Sequence, residues 1–126
     1  MVFVKSYKDL EVYKLSRILA KDVFLVSLHF PKEEKYSLTD QIRKASRSIG
    51  AQIAEAWGKR KYPKSFVSKL TDADGEQFET EHWTETAHDC GYLSKEKAEE
   101  WNHHCLSLNR MLNSMMLKAD TFCKMQ

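Results

Sequence analysis

The 126-residue sequence has little glycine and proline, with four Gly and two Pro. Folds made of many short strands need frequent turns, and these two residues are the ones that most often form them. Their scarcity argues against an all-β fold. It favours a few long helices joined by short connections.

Long apolar runs are also missing. The longest one, residues 23–30, is interrupted by Ser27 and His29. A membrane-spanning helix needs about 20 apolar residues, and a secretory signal needs a basic start followed by an apolar run of about 7–15 residues. We therefore expect no membrane partner and a cytoplasmic location.

Signatures of catalysis are absent as well. The three cysteines, Cys90, Cys105 and Cys123, have no Cys-x-x-Cys spacing, and their odd number does not suggest a disulfide framework. The sequence contains no Gly-x-Ser-x-Gly elbow, no P-loop and no dinucleotide fingerprint. We expect inert thiols in a reducing compartment, and a non-enzymatic protein with no cofactor and no small-molecule substrate.

What the sequence does contain is the balance of an ordinary globular protein, with 42% hydrophobic and 30% charged residues, and its length suits a single domain over residues 1–126. The net charge of +2 is unevenly spread. Residues 1–64 carry 14 Lys/Arg against 7 Asp/Glu, whereas residues 65–126 carry 6 against 11. This asymmetry fits an anionic partner for the first half, head-to-tail contact between subunits, or simply two solvated faces.

Hydrophobic periodicity predicts four helices, at approximately residues 7–30, 38–59, 63–90 and 95–122. The fourth has the clearest pattern, because its apolar residues alternate at spacings of three and four: Ala98, Trp101, Cys105, Leu108, Leu112, Met115, Ala119 and Phe122. Short connections place consecutive helices side by side in opposite directions. The predicted fold is an all-α, antiparallel up-down four-helix bundle.

Residues typical of helix ends support these boundaries: Ser6 with Asp9, Ser37 or Thr39, Pro63, Gly91 and Ser94. The third helix is the least regular. Its expected apolar positions include Phe78 and Cys90, and Gly75 lies near its middle. We expect a close helix crossing at Gly75, since a glycine there otherwise costs about 1 kcal/mol relative to alanine.

Several segments resemble one known family in both order and spacing. They are Asp9-Leu-Glu-Val-Tyr13, Phe30-Pro-Lys-Glu-Glu34, Leu38-Thr-Asp-Gln-Ile-Arg43, Ile53-Ala-Glu-Ala-Trp-Gly-Lys-Arg60, Phe66…Leu70…Gly75…Glu79, Gly91-Tyr-Leu-Ser94 and Met111-Leu-Asn113. Together they resemble the 23S rRNA-intervening-sequence proteins, also called four-helix bundle proteins. The chain departs from the family pattern, which usually has Asn, Gly and Ser at the positions of Gln52, Ala56 and Glu76.

The resemblance implies an up-down four-helix bundle that assembles as a ring-like homopentamer. Some family members are encoded within intervening sequences of rRNA genes. A related group, the accessory proteins of diversity-generating retroelements, is thought to bind nucleic acid and a reverse transcriptase through a basic surface. RNA or DNA is therefore an expected partner, and a protein-assembly module with no nucleic-acid role is the alternative.

The candidate phosphate contacts form two groups, Arg43, Lys44 and Arg47 on the second helix, and Lys59, Arg60, Lys61 and Lys64 at the connection that follows. Lys and Arg neutralise phosphates in a salt-dependent and sequence-independent way. Nearby aromatic residues, Tyr36, Trp57 and Tyr62, could stack on bases. The alternative is a solvated helix face and a polar connection with no partner.

Two glutamates, Glu55 and Glu79, are expected beside the core, where a carboxylate needs a partner. We expect each to form a structural ion pair or hydrogen bond, with an arginine such as Arg43, Arg47 or Arg60 or with a hydroxyl group on a helix. Their expected role is to fix the register of the helices.

A metal-dependent bundle enzyme is the third and most distant hypothesis. Glu79-x-x-His82 and Glu85-x-x-His88 have the spacing found in di-iron bundles, which take one such motif from each of two helices. Here both motifs lie on one helix, six residues apart, so they face in different directions. The sequence therefore predicts no metal site.

Overall fold

The computed structural model describes residues 4–124, which form helices and connections but no β-strand. The helices are α1 (Glu11–Ser27), α2 (Leu38–Gly58), α3 (Pro63–Asp89), α4 (Lys95–Leu117) and the short α5 (Ala119–Cys123). Two single 3₁₀ turns, Tyr7–Asp9 and Lys32–Glu34, precede α1 and α2. The predicted all-α class is confirmed.

One hydrophobic core is shared by the four long helices. Consecutive long helices pack against each other, and α1 also contacts α4. The predicted face of α4 is buried, since Trp101, Leu108 and Leu112 are inaccessible to solvent. Burying a large apolar side chain stabilises the fold by about 1.5–3 kcal/mol, so this face contributes much of the packing energy.

The first helix is shorter than the predicted residues 7–30. Ser6 and Asp9 form the expected capping box, but it closes a 3₁₀ turn, and the extended backbone at Leu10 separates that turn from α1. At the other end α1 stops at Ser27, and the buried side chain of Phe30 reaches the core from outside the helix. Pro31 prevents the helix from continuing further, because the residue directly before a proline is turned away from helical geometry.

The start of α2 is capped by a residue that sequence reasoning did not assign. Ser37 occupies the N-cap position, but its hydroxyl donates to Glu34 Oε1 at 2.6 Å instead of capping the helix. The same carboxylate oxygen accepts from the Leu38 N–H at 3.4 Å. Tyr92, in the connection before α4, donates to Glu34 Oε2 at 3.0 Å, so one carboxylate joins three parts of the chain.

The buried face of α3 is partly polar. Its buried positions are Phe66, Leu70, Ala73, Gln77, Thr80, Thr84 and Ala87, at strict spacings of four and three. Phe78 is 55% exposed and Cys90 is exposed, so placing them among the core positions was wrong. Phe78 lies off this spacing and Cys90 follows the end of α3, whereas threonines whose hydroxyls bond to carbonyls of their own helix occupy core positions.

Helix ends with a local chemical signal match the sequence expectations. Pro63 lies in the first turn of α3, and Ser94 caps α4 by accepting from the Lys97 N–H at 3.1 Å. Gly91 follows α3 with φ of +79°, a left-handed conformation that favours glycine. The N–H of Tyr92 donates to the Ala87 carbonyl at 2.9 Å and completes the turn.

The close helix crossing occurs at Gly50 of α2 and not at Gly75. A methyl group added at Gly75 would meet nothing within 4 Å. One added at Gly50 would lie 3.0 Å from Ser16 Oγ and 3.6 Å from the ring of Tyr13, both on α1. The expectation of a crossing at Gly75 was therefore wrong, and the glycine that admits a neighbouring helix is Gly50.

The predicted fourth helix is interrupted at Lys118, where the backbone leaves helical geometry with φ of −100° and ψ of 21°. The next residues form α5, which packs on α3. The ring of Phe122 thereby stacks on that of Phe66, with centroids 6.0 Å apart and an interplanar angle of 29°. None of the helices within residues 4–124 has the length and hydrophobicity that crossing a membrane requires.

Candidate nucleic-acid interface

A groove of about 600 Å³ lies between α1 and α2. It is lined by Ser16, Arg17, Ile18, Ala20, Lys21, Phe24, Ser46, Arg47 and Gly50. Three of these side chains are cationic, and none of the described residues that line the groove is an Asp or Glu. Its electrostatic character is therefore that of an anion-binding surface.

Two arginines of α2 surround the ring of Phe24 on α1. The guanidinium carbon of Arg43 lies 4.9 Å from the ring centroid, and that of Arg47 lies 5.5 Å from it. Arg43 Nε also donates to Ser27 Oγ at 2.8 Å, which fixes its position. Arg47 is exposed and lines the groove, so its charge is available to a bound anion.

The groove is deep at Gly50 because this residue has no side chain. Ser16 Oγ lies under this glycine and donates to the Tyr13 carbonyl at 2.6 Å. Along α2 the residues Arg43, Arg47, Gly50, Ala54 and Trp57 follow one another at spacings of four and three, so they share one face of the helix. This face connects the groove with the far end of α2.

The second basic group follows the end of α2. The guanidinium carbon of Arg60 lies 3.6 Å from the ring centroid of Trp57, and Arg60 Nε donates to the Trp57 carbonyl at 2.8 Å. Burial lowers the pKa of Arg60, but an arginine remains protonated at neutral pH. Lys59, Lys61 and Lys64 are all exposed around it.

The first turn of α3 adds to the positive potential of this second group. It contains no acidic residue, and no side chain caps its N–H groups. The N-terminal end of a helix carries a partial positive charge that favours anions. Lys59 lies 16 residues after Arg43, so the two basic groups are about 24 Å apart along α2.

Lys44 occupies a different environment from the other predicted contacts. Its Nζ lies 2.9 Å from Asp40 Oδ2, and it does not line the groove. Two cations that sequence reasoning missed, Arg17 and Lys21, take its place there. Their spacing of four on α1, with Phe24 three residues further on, was the signal that could have identified them.

The two predicted structural glutamates differ. Glu55 Oε2 lies 3.0 Å from Lys69 Nζ, so it links α2 to α3 through a lysine, whereas the expected arginine partners lie elsewhere. The hydrogen bond from Lys69 to Glu55 raises the pKa of that lysine. Glu79 is exposed on α3, where its charge contributes to the raised pKa of Glu76, a shift caused first by burial.

The opposite side of the molecule has the reverse charge. A groove of about 440 Å³ between α3 and α4 is lined by Gln77, Phe78, Glu81, Glu99, Asn102, His103, Leu106 and Asn109. Its exposed apolar side chains, Phe78 and Leu106, are thus flanked by carboxylates. On α1, exposed Ile18 and Leu25 lie beside Lys21, Asp22 and Glu100, and Leu28 is also exposed.

Groups with catalytic potential are few in the part of the chain described. Residues 4–124 contain no set of three His, Cys, Asp or Glu side chains arranged to hold a metal ion. Cys105 lies on the buried face of α4, where burial raises the pKa of its thiol to about 12. A thiol of that kind is neither deprotonated nor accessible at neutral pH.

Comparisons with known proteins agree with this architecture. A family model described as 23S rRNA-intervening sequence protein matches residues 8–114. The crystal structure of a protein with unknown function from the S23 ribosomal protein family of Bacteroides thetaiotaomicron is similar, with a TM-score of 0.74 and 28% sequence identity. That match covers 83% of this chain and 94% of the other. No curated protein gives a match.

Proposed function

The chain belongs to the 23S rRNA-intervening sequence protein family, and on this basis we propose that it is a non-enzymatic, homo-oligomeric four-helix bundle that binds RNA or DNA. Binding occurs at the phosphate backbone, along the groove between α1 and α2 and the basic group at the end of α2. The spacing of its three cysteines, which includes no Cys-x-x-Cys pair, fits the reducing cytoplasm, which we propose as its location.

The observation that carries this proposal is the composition of the α1–α2 groove. Arg17 and Lys21 from α1 meet Arg47 from α2 in a concave surface whose described lining contains no carboxylate. Cations that are merely solvated are usually interspersed with acids, as Lys44 is with Asp40. A cleft lined by one sign of charge concentrates ligands of the opposite sign.

The proposal takes the four long helices to run alternately up and down. Short connections support this arrangement, since α2 and α3 are separated by residues 59–62, and α3 and α4 by residues 90–94. Connections of this length favour antiparallel neighbours. In such a bundle both basic groups lie along one helix and are accessible from one side.

The proposal is tested by fluorescence anisotropy with labelled RNA and DNA oligonucleotides over a range of salt concentrations. Affinity should fall steeply with salt, because each neutralised phosphate releases counterions. The double variant Arg17→Gln/Arg47→Gln should bind at least about tenfold more weakly, and the slope of log affinity against log salt should decrease by about 1.4–1.8.

Lys95→Gln is the matched control, since it also removes a surface cation but lies at the start of α4, close to Glu99. It should leave both affinity and slope nearly unchanged. Absence of binding to any oligonucleotide at low salt would exclude this function. An equal loss in log affinity per removed charge in Lys95→Gln and in the groove variant would show that net charge, and not the groove, governs binding.

Assembly with no nucleic-acid role is the second candidate function, and exposed apolar side chains on two separate faces favour it. Ile18 and Leu25 on α1 lie near Lys21, Asp22 and Glu100, whereas Phe78 and Leu106 lie near Glu81, Glu99 and His103. Two such faces fit each other on neighbouring copies in a head-to-tail contact, which closes into a ring if the rotation allows. A ring-like homopentamer is the assembly we propose.

Light scattering over a concentration series tests the assembly. A ring predicts a constant mass that is a fixed multiple of one chain, whereas a monomer at high concentration would refute it. Assembly combined with no oligonucleotide binding at low salt would favour this second function over the first. Since the groove and the α1 outer face involve different side chains apart from Lys21 and Ile18, the two properties can be measured separately.

A further inference from the structure

The exposed aromatic rings of the first half of the chain are all accompanied by cations. Within residues 4–124, Phe24 contacts Arg43 and Arg47, Tyr36 contacts Lys35, and Tyr62 contacts Lys61. Phe24 is 36% exposed, Tyr62 60% and Tyr36 85%. Each basic group therefore contains at least one accessible ring, and phosphate neutralisation alone does not require any.

In the part of the chain that the structure describes, the rings that lie against cations all belong to residues 24–62. Phe78, on the opposite side, is comparably exposed but is flanked by Glu81 and Glu99 in its groove. The rings beside cations are thus not a general consequence of surface aromatics in this chain. They coincide with the surface already proposed to bind nucleic acid.

We propose that this surface selects single-stranded nucleic acid over duplex, an inference that rests on the proposed function and deepens it. Single strands present unstacked bases that can stack on aromatic rings while cations follow the backbone. In a duplex the bases are already stacked on one another, and only the backbone and groove edges are available. Phe24 and Tyr62 are the rings that accept bases, one in each basic group.

The geometry also sets the length of strand that is bound. The two basic groups are about 24 Å apart along α2, so only a strand long enough to span that distance can contact both. On the shared face of α2 between them, Gly50 packs against Ser16 of α1, and Ala54 follows.

The test compares labelled oligouridine and oligothymidine of about 12 nucleotides with a duplex of equal length, at one low salt concentration, by anisotropy. Single strands should bind at least about tenfold more tightly than the duplex. A strand of about two nucleotides should bind much more weakly than one of 12, because it cannot reach both basic groups.

Variants that remove a ring but no charge separate stacking from electrostatics. Phe24→Leu and Tyr62→Leu should each weaken single-strand binding roughly tenfold, a clearly larger loss than that of duplex binding. Phe78→Leu on the opposite face is the control and should have no effect. Phe24 and Tyr62 are both partly exposed, so these variants are expected to fold, and circular dichroism verifies this.

The outcomes distinguish the inference from the function on which it rests. Equal affinity for single strand and duplex, with Phe24→Leu and Tyr62→Leu without effect, would overturn the inference and leave backbone binding intact. Binding to none of the probes would remove both. Tighter single-strand binding that weakens in the ring variants but not in Phe78→Leu would establish the selection.

Discussion

At the scale of single residues, the two mid-helix glycines have opposite surroundings. Gly75 on α3 faces open space, whereas Gly50 on α2 lies against Ser16 of α1. A glycine in a helix lowers stability because its backbone has high conformational entropy in the unfolded chain. Alanine has less, so it stabilises the fold wherever its methyl group can be accommodated. The sequence alone did not identify the crossing, because what lies opposite a helical glycine depends on how two helices pack.

We expect Gly75→Ala to raise the free energy of unfolding by about 0.5–1 kcal/mol. Gly50→Ala should lower it, because the new methyl group would lie 3.0 Å from Ser16 Oγ, which a 2.6 Å bond to the Tyr13 carbonyl holds in place. Urea denaturation measures both. In a Ser16→Ala background the obstacle is gone, so the penalty for Gly50→Ala should disappear; its persistence there would contradict this explanation.

A second residue-scale feature is the carboxylate of Asp22, which joins α1 to α4. Its Oδ2 accepts from Trp101 Nε1 at 2.7 Å and from Lys97 Nζ at 3.1 Å. Trp101 is fully buried, so its N–H depends on this acceptor. An unpaired buried donor costs more than the hydrogen bond itself contributes.

Asp22→Ala should therefore lower the free energy of unfolding by about 1–3 kcal/mol, as chemical denaturation would measure. Asp22→Asn is the matched variant, because it keeps an oxygen acceptor for the indole and removes only the charge facing Lys97. It should cost clearly less than the alanine variant. Equal losses in the two would show that the charge, and not the acceptor for Trp101, is what matters.

At the scale of helices, local chemistry was readable from the sequence and long-range packing was not. Pro63, Gly91 and Ser94 act within one turn, and the structure has each at the expected helix end. The break at Lys118 instead depends on Phe122 stacking on Phe66, far away in the sequence. Periodicity continues smoothly across Lys118 and therefore predicted a single helix.

The buried face of α3 shows a second limit of periodicity. Thr80 and Thr84 are fully buried, and their hydroxyls donate to the Glu76 and Thr80 carbonyls at 2.9 and 2.7 Å. A polar side chain that bonds within its own helix can occupy a core position at little cost. A search for apolar residues therefore placed Phe78 in the core, one residue away from buried Gln77.

The carboxylate of Glu34, which joins three parts of the chain, leads to a prediction about how stability depends on pH. Hydrogen bonds from Ser37 and then Tyr92 lower the pKa of Glu34 below its ordinary value of 4.5. A carboxyl with a lowered pKa in the folded state stabilises the protein above its unfolded pKa, and this contribution is lost as pH falls through the folded value. The three joined segments should thus loosen in acid.

Glu34→Gln tests this, since glutamine cannot ionise. The variant should be less stable than the wild type at neutral pH. This difference in stability should decrease as pH falls below about 4.5. Thermal denaturation at several pH values measures the gap. Glu33→Gln, on the same connection, should show no comparable trend; a Glu34→Gln gap that stays constant down to strongly acidic pH would contradict the assignment.

At the scale of the whole molecule, the uneven charge of the sequence corresponds to two different sides. The basic side combines Arg17 and Lys21 of α1 with Arg47 of α2. The sequence predicted the α2 cations but missed those of α1, because which residues meet across a groove depends on how two helices pack, not on either alone. Lys44, adjacent in sequence, instead pairs with Asp40.

The proposed head-to-tail assembly leads to a prediction about mixtures. Leu25→Ser should disable the α1 face, and Phe78→Ser should disable the α3–α4 face, so each variant alone should have a lower mass by light scattering. Leu117→Ser, which changes a highly exposed leucine at the end of α4, should assemble like the wild type.

The decisive measurement is an equimolar mixture of the two defective variants. In a head-to-tail contact each variant retains the face that the other lacks, so the mixture forms one intact contact and gives heterodimers but no ring. In a symmetric contact both copies use the same face. If that face contains Leu25, the Leu25→Ser variant would fail to assemble while the Phe78→Ser variant would assemble fully. That result would refute the head-to-tail arrangement.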